Sequence, residues 1–143
     1  MRWMVAGLAA AAMTLAACGE RSAGGTTTKA AASTAASRPD PRLPDGFPIY
    51  LGATGARALE VMKTRQGGTI ATFSVQATAA EVVGFYEDVS KRQGMAYAGR
   101  YDTDSNRSYE ARRQGEGRPR TFGAVAIDKG EWTNVTLNFD VTP

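Results

Sequence analysis

The strongest constraint on this chain is that it holds one strong helical signal among stretches that alternate like strands. Thr78-Ala79-Ala80-Glu81 has the form of a capping box, with a hydroxyl to accept from the helix start and a carboxylate three residues on to reach back. Val82, Phe85, Tyr86 and Val89 follow at helical spacing and make one apolar stripe. Lys91 and Arg92 suit the negative end of the helix dipole, and Gly94 suits a left-handed stop. A helix over 79–93 is therefore predicted, with Phe85 and Tyr86 in the core and the Tyr86 hydroxyl at its rim.

The flanking segments read as six strands. Residues 57–64 place Leu59 and Val61 on one face, and Gln66-Gly67-Gly68 then turns the chain. The return, 69–77, alternates Ala71, Phe73, Val75 and Ala77 with Thr72, Ser74 and Gln76. After the helix, Met95 to Tyr101 sets Met95, Tyr97 and Tyr101 on one side. Arg107 to Arg113 carries Tyr109 and Ala111 inward, and Thr121 to Ile127 ends in Val125 and Ile127. Asp128-Lys129-Gly130 makes a turn, and Trp132 to Val141 alternates Val135, Leu137, Phe139 and Val141 with polar residues. The order is ββαββββ. One helix cannot cover both faces of such a sheet, so the fold class is α+β: a single helix packed on an antiparallel sheet whose other face is partly wet.

Composition narrows the chemistry. The chain has no histidine and one cysteine, Cys18. That excludes His-based catalytic triads, histidine-ligated zinc, intramolecular disulfides and histidine pH switching. The formal net charge of +3 is mild and spread along the chain, which speaks against nucleic acid as a partner.

The N-terminus sets the expected location. Arg2 precedes an apolar run, Trp3 to Ala17, that is shorter than the ~20 residues a transmembrane helix needs. Leu15-Ala16-Ala17-Cys18 at its end resembles the lipobox of bacterial lipoproteins. The resemblance implies a signal peptide over 1–17, cleavage before Cys18, a diacylglyceryl group on the Cys18 sulfur, and multiple acyl chains holding the protein to a membrane. Gly19 stands where the family's inner-membrane retention signal has Asp, which implies the outer membrane, facing the periplasm. Residues 18–43 then comprise the lipidated cysteine and a disordered linker rich in Gly, Ser, Thr and Ala. Its 24 residues from Gly19 to Arg42 would reach roughly 27 Å as a flexible coil.

The globular domain is expected over 44–143. Phe47, Ile49 and Tyr50 read as an extended lead-in packed against the sheet or helix, in preference to an aromatic ligand-binding lip. From Pro44 onward the layout resembles a recurring small domain of bacterial envelope proteins of unknown function. The shared features are the opening Pro48-Ile49-Tyr50-Leu51-Gly52-Ala53 and the helix running from Phe85-Tyr86 to Gly94. Leu51 stands where that pattern has proline.

Three sets of residues invite a functional reading. Asp102-Thr103-Asp104-Ser105-Asn106 begins like a calcium loop. Arg107 and Arg113 hold the positions where an EF-hand wants Gly and Glu, so a polar turn is expected. Arg107, Arg112, Arg113, Arg118 and Arg120 gather around the hairpin tip Gln114-Gly115-Glu116-Gly117. Arginine pairs bidentately with phosphate and carboxylate, so Arg112, Arg113, Arg118 and Arg120 are candidates for partner contact, with Trp132 or Tyr101 as aromatic anchors. In a strand Arg112 and Arg113 point to opposite faces, which limits convergence. The carboxylates, among them Glu60, Glu81, Glu110, Asp128, Glu131 and Asp140, show no spacing that pairs two of them across a cleft.

These features lead to the expectation of a membrane-anchored, non-enzymatic interaction module that uses no cofactor or metal. Its partner would be another envelope protein or an anionic envelope component such as lipid. The alternative is a carboxylate-dependent hydrolase acting on envelope glycans. A small-ligand carrier would need an apolar pocket between helix and sheet, and the apolar positions suffice to fill only one core.

Overall fold

The computed structural model describes residues 37–114 and 121–140 of the 143-residue chain. Six strands form one antiparallel sheet and one helix covers one face of it, in the order ββαββββ. A short two-stranded sheet precedes them. The short sheet pairs β1 (Ser37–Pro39) with β2 (Pro48–Tyr50). The main sheet comprises β3 (Arg57–Lys63), β4 (Thr69–Val75), β5 (Ala96–Asp102), β6 (Asn106–Arg112), β7 (Thr121–Lys129) and β8 (Trp132–Asp140).

The strands lie in the order β3-β4-β8-β7-β6-β5. The helix α1 (Ala79–Arg92) therefore carries the chain from β4 across the sheet to the far edge at β5. Three hairpins return it until β8 pairs with β4.

Local chemistry accounts for the helix ends. The Thr78 N–H donates to the Glu81 carboxylate at 2.8 Å and the Glu81 N–H to the Thr78 hydroxyl at 3.2 Å, the reciprocal capping box. At the other end Gly94 takes φ +72, with Met95 N–H donating to Ser90 O and Gly94 N–H to Lys91 O. That is the Schellman pattern, and Met95 is buried as its apolar contact. A long-range bond adds to the N-terminus: the Asp128 carboxylate, on the β7–β8 hairpin, accepts the Ala79 N–H at 2.8 Å.

Period-two alternation decides which residues enter the core. Ala71, Phe73 and Val75 of β4, Tyr109 and Ala111 of β6, Phe122, Ala124 and Ala126 of β7, and Val135, Leu137 and Phe139 of β8 are buried beneath α1 and the lead-in. In β7 the buried set is thus Phe122, Ala124 and Ala126, while Val125 and Ile127 lie on the opposite face. The register of β7 against Tyr109 and Leu137 fixes this, since residues paired across strands share a face.

The lead-in packs into the core as expected. Phe47 is buried, with its ring centroid 4.7 Å from that of Phe122 and 5.0 Å from that of Phe139. Tyr86 departs from expectation: its hydroxyl is fully buried, donating to the Pro48 carbonyl and accepting the Tyr50 N–H. Burial pushes the Tyr86 phenol well above its ordinary range, so it stays a neutral donor.

The structured domain also begins earlier than Pro44. Ser37–Pro39 pairs with the lead-in, and Asp40 and Leu43 are buried. Asp40 accepts from Arg42 through the Arg42 N–H at 2.9 Å and the guanidinium at 3.0 and 2.7 Å. Low hydrophobicity alone marked this segment as linker. One apolar residue, one local ion pair and a three-residue ladder hold it in place.

The β5 edge departs too. The register of β5 on β6 shifts between Tyr97 and Gly99, so Tyr97 stands on the helix side and Tyr101 on the open side. Both rings are more than half exposed, at 64% and 61%.

Candidate functional site

With α1 and the lead-in on one face, the other face of the sheet is the broad surface that no element among the described residues covers. Alternation places Ser108, Glu110 and Arg112 of β6, Thr121, Gly123 and Val125 of β7, and Trp132, Asn134, Thr136, Asn138 and Asp140 of β8 on it. Near the β5 side this surface sinks into a shallow trough of about 530 Å³. Its floor and walls include Gly99, Tyr101, Glu110, Gly123, Asn138 and Asp140.

Register explains the depression. Gly99 pairs with Glu110, Glu110 with Gly123, and Gly123 with Asn138, so one cross-strand row runs Gly99–Glu110–Gly123–Asn138. Two of its four positions carry no side chain. Neither glycine has a left-handed φ, and a Cβ added at Gly99 meets nothing within 4 Å. At Gly123 the nearest atom is Asn138 Cβ at 3.9 Å, an ordinary contact. Glycine weakens a strand interior, and these two, one on either side of Glu110, are demanded by neither φ nor packing; each leaves the sheet backbone open to close approach. For Gly99 the neighbouring bulge is a further reason, whereas Gly123 lies in regular ladder.

Among the described residues the arginines do not form one patch. Arg112 is exposed on the open face, its guanidinium donating to Glu110 at 3.0 and 3.2 Å. Arg113 points to the helix side and is only 13% exposed, donating to the Asp45 carboxylate at 3.0 Å and the Gln93 carbonyl at 2.6 Å. It ties the lead-in turn to the C-terminal end of α1. Arg107 pairs with Asp102, which also accepts from Arg100. Arg118 and Arg120 lie outside the described residues, as does Cys18.

Trp132 shares the open face with Arg112 but sits at the other end of it. Lys129 pairs with Trp132, whereas Thr121 pairs with both Asp140 and Arg112. Eight residues of β8 put about 26 Å between the two ends. The Arg57 guanidinium lies 3.9 Å from the centre of the Trp132 ring, so this aromatic is already covered by a cation of its own chain.

The acidic loop is a turn. The Thr103 N–H donates to the Asn106 carbonyl at 2.8 Å, and the Asp102 carboxylate is engaged by the two arginines. Among the described residues no group of three or more Asp, Glu, His or Cys side chains gathers as a metal site. Glu110 and Asp140 both line the trough. They stand two strands and two residues apart, about 12 Å between backbones, and project from one face in the same direction. A glycosidase pair faces across a cleft instead.

Sequence reasoning named Tyr101 and Arg112 but passed over Gly99, Gly123 and Asn138. The signal for Gly123 was present: it interrupts the outward half of the alternation Thr121-Phe122-Gly123-Ala124-Val125 with a residue of poor strand propensity. Among the described residues no helix is long and apolar enough to cross a membrane. No protein-family model matches the chain, and neither a curated protein nor a solved structure matches it significantly.

Proposed function

We propose that this chain is a lipid-anchored, non-enzymatic interaction module of the bacterial envelope, contacting its partner through the open face of the sheet. The anchor in this reading is Cys18, within Leu15-Ala16-Ala17-Cys18. The observation that carries it is the trough around Gly123, where Tyr101, Glu110, Asn138 and Asp140 surround uncovered backbone. Arg112 and Glu110 offer charge of both signs beside it, suited to orienting a partner more than to binding it tightly.

Arg113 is committed to Asp45 and Gln93, which leaves Arg112 as the one candidate arginine exposed on this face among the described residues. Among the described residues the open face is therefore the surface that best supports contact with an envelope partner.

The test is crosslinking of the lipidated protein in cells, followed by identification of what is captured. Wild type, Cys18→Ser and Arg112→Ala are compared. A specific partner whose yield falls with Cys18→Ser and Arg112→Ala supports the reading. No specific partner at adequate protein yield, or a partner indifferent to both changes, overturns it.

A further inference from the structure

Resting on the interaction-module reading, we infer that the trough on the open face is a subsite for an uncharged saccharide chain. The chemistry around it separates the ligand classes. The cations at the trough are already engaged, Arg100 with Glu87 and Asp102 and Arg112 with Glu110, and Asp140 adds a carboxylate, so phosphate and acidic lipid headgroups are poor occupants. Arg112 bonds to Glu110 and offsets its charge, so the trough lacks the concentrated negative field that a basic peptide would seek.

What is left suits hydroxyl-rich rings. The carboxylates accept from sugar hydroxyls, while the Ser108 and Thr121 hydroxyls and the Asn138 amide both donate and accept. The Tyr101 ring, 61% exposed, supplies an apolar wall for the C–H face of a pyranose. The bare backbone at Gly123, between Glu110 and Asn138, lets a ring approach the sheet closely, and Gly99 leaves a second open place on the other side of Glu110. The row from β5 to β8 spans three strand spacings, about 14 Å, so the subsite takes a short oligosaccharide.

Calorimetric titration of the full chain in mild detergent tests this. The probes are cellotetraose, maltotetraose and tetra-N-acetylchitotetraose, with tetralysine as the competing chemistry. At least one tetrasaccharide should saturate the protein with an affinity that changes little with salt.

Gly123→Val should weaken that binding by about tenfold or more, because its side chain stands where the ring lies. Valine is favoured in strands, so the variant should unfold no earlier than wild type, separating a blocked floor from a broken fold. Tyr101→Ala should lose binding and Tyr101→Phe should keep it. Failure of every tetrasaccharide to bind, saccharide binding that survives both Gly123→Val and Tyr101→Ala, or salt-sensitive binding of tetralysine alone overturns the saccharide subsite. If the tetrasaccharides fail while crosslinking in cells still captures a specific protein, the interaction-module reading stands without the subsite.

Discussion

The hydroxyl of Tyr86, in the middle of the helix, donates to the backbone carbonyl of Pro48 at 3.2 Å. The same oxygen accepts the Tyr50 N–H at 3.1 Å, so one side chain serves two backbone groups of β2. Through it the helix holds the lead-in, which in turn puts Phe47 between Phe122 and Phe139. Tyr86→Phe keeps the ring and removes both bonds, leaving two backbone groups short of a partner. The expected loss is about 1–3 kcal/mol of unfolding free energy. Urea denaturation checks it: the midpoint should fall with the slope unchanged. An unaltered midpoint would mean that water replaces the phenol at no cost.

Gly52 shows why the opening motif needs glycine. It has φ +58, and a Cβ there would lie 2.7 Å from Val75 Cγ2 and 2.8 Å from the Gln76 carbonyl oxygen. The left-handed backbone costs an alanine about 1–2 kcal/mol. The forced contact with the Gln76 carbonyl, just past the end of β4, adds about 1–3 kcal/mol. Gly52→Ala should therefore remove a large part of a stability that for domains of this size is of order 5–15 kcal/mol. Gly55→Ala is the matched comparison, since Gly55 also has positive φ, +89, but meets nothing within 4 Å. It should cost only the backbone share. Equal thermal shifts for the two variants would show that the close approach of Gly52 to Val75 relaxes freely.

Asp40 gives the acid limb of stability a specific origin. The Arg42 guanidinium beside it holds its carboxyl at about 2, below the ordinary 3.8. A carboxylate with a lowered folded-state pKa stabilises the fold in full above its unfolded value, and that contribution disappears as pH falls through the folded value. The advantage of wild type over Asp40→Asn should therefore be constant above about pH 5, shrink below pH 4 and vanish near pH 2. Arg42 is half exposed, at 53%, so added salt should reduce the advantage. Parallel stability curves for the two proteins between pH 2 and 5 would remove Asp40 from this role.

Much of the architecture could be read from local pattern. Thr78 with Glu81, the stripe from Val82 to Val89, and the alternation along β4 and β8 each specify an element within a few residues of themselves. What escaped depends on partners distant in sequence. The burial of the Tyr86 hydroxyl needs Pro48, 38 positions away, and the fate of Arg113 needs Asp45, 68 away. The slip between Tyr97 and Gly99 breaks the period from which the faces of Tyr97 and Tyr101 were inferred. The trough was hidden for a related reason. Gly99 and Gly123 become neighbours of Glu110 only once three strands are in register. Trp132 looked like a free anchor because the cation that covers it, Arg57, comes from the opposite edge of the hairpin pair.

Arg112 and Arg113 are adjacent in sequence, yet the sheet assigns them opposite work, and their substitutions should separate. Arg113 lies 13% exposed between the Asp45 carboxylate and the Gln93 carbonyl at the end of the helix, where a cation also meets the negative end of the dipole. Arg113→Ala leaves those acceptors without their donor and should destabilise by about 2–3 kcal/mol, the scale of hydrogen bonds to a charged group. Arg112 is 67% exposed and its bond to Glu110 lies in water, so Arg112→Ala should shift stability by no more than about 0.5 kcal/mol. Thermal unfolding of the two variants, followed by far-ultraviolet circular dichroism, makes the comparison. The contrast matters for any binding measurement. Weakened partner capture by Arg113→Ala would arise through a loosened lead-in and helix end, whereas a loss with Arg112→Ala at unchanged melting temperature reports on the open face itself. Similar melting temperatures for both variants would show that Arg113 does not fasten the Asp45 turn to the helix.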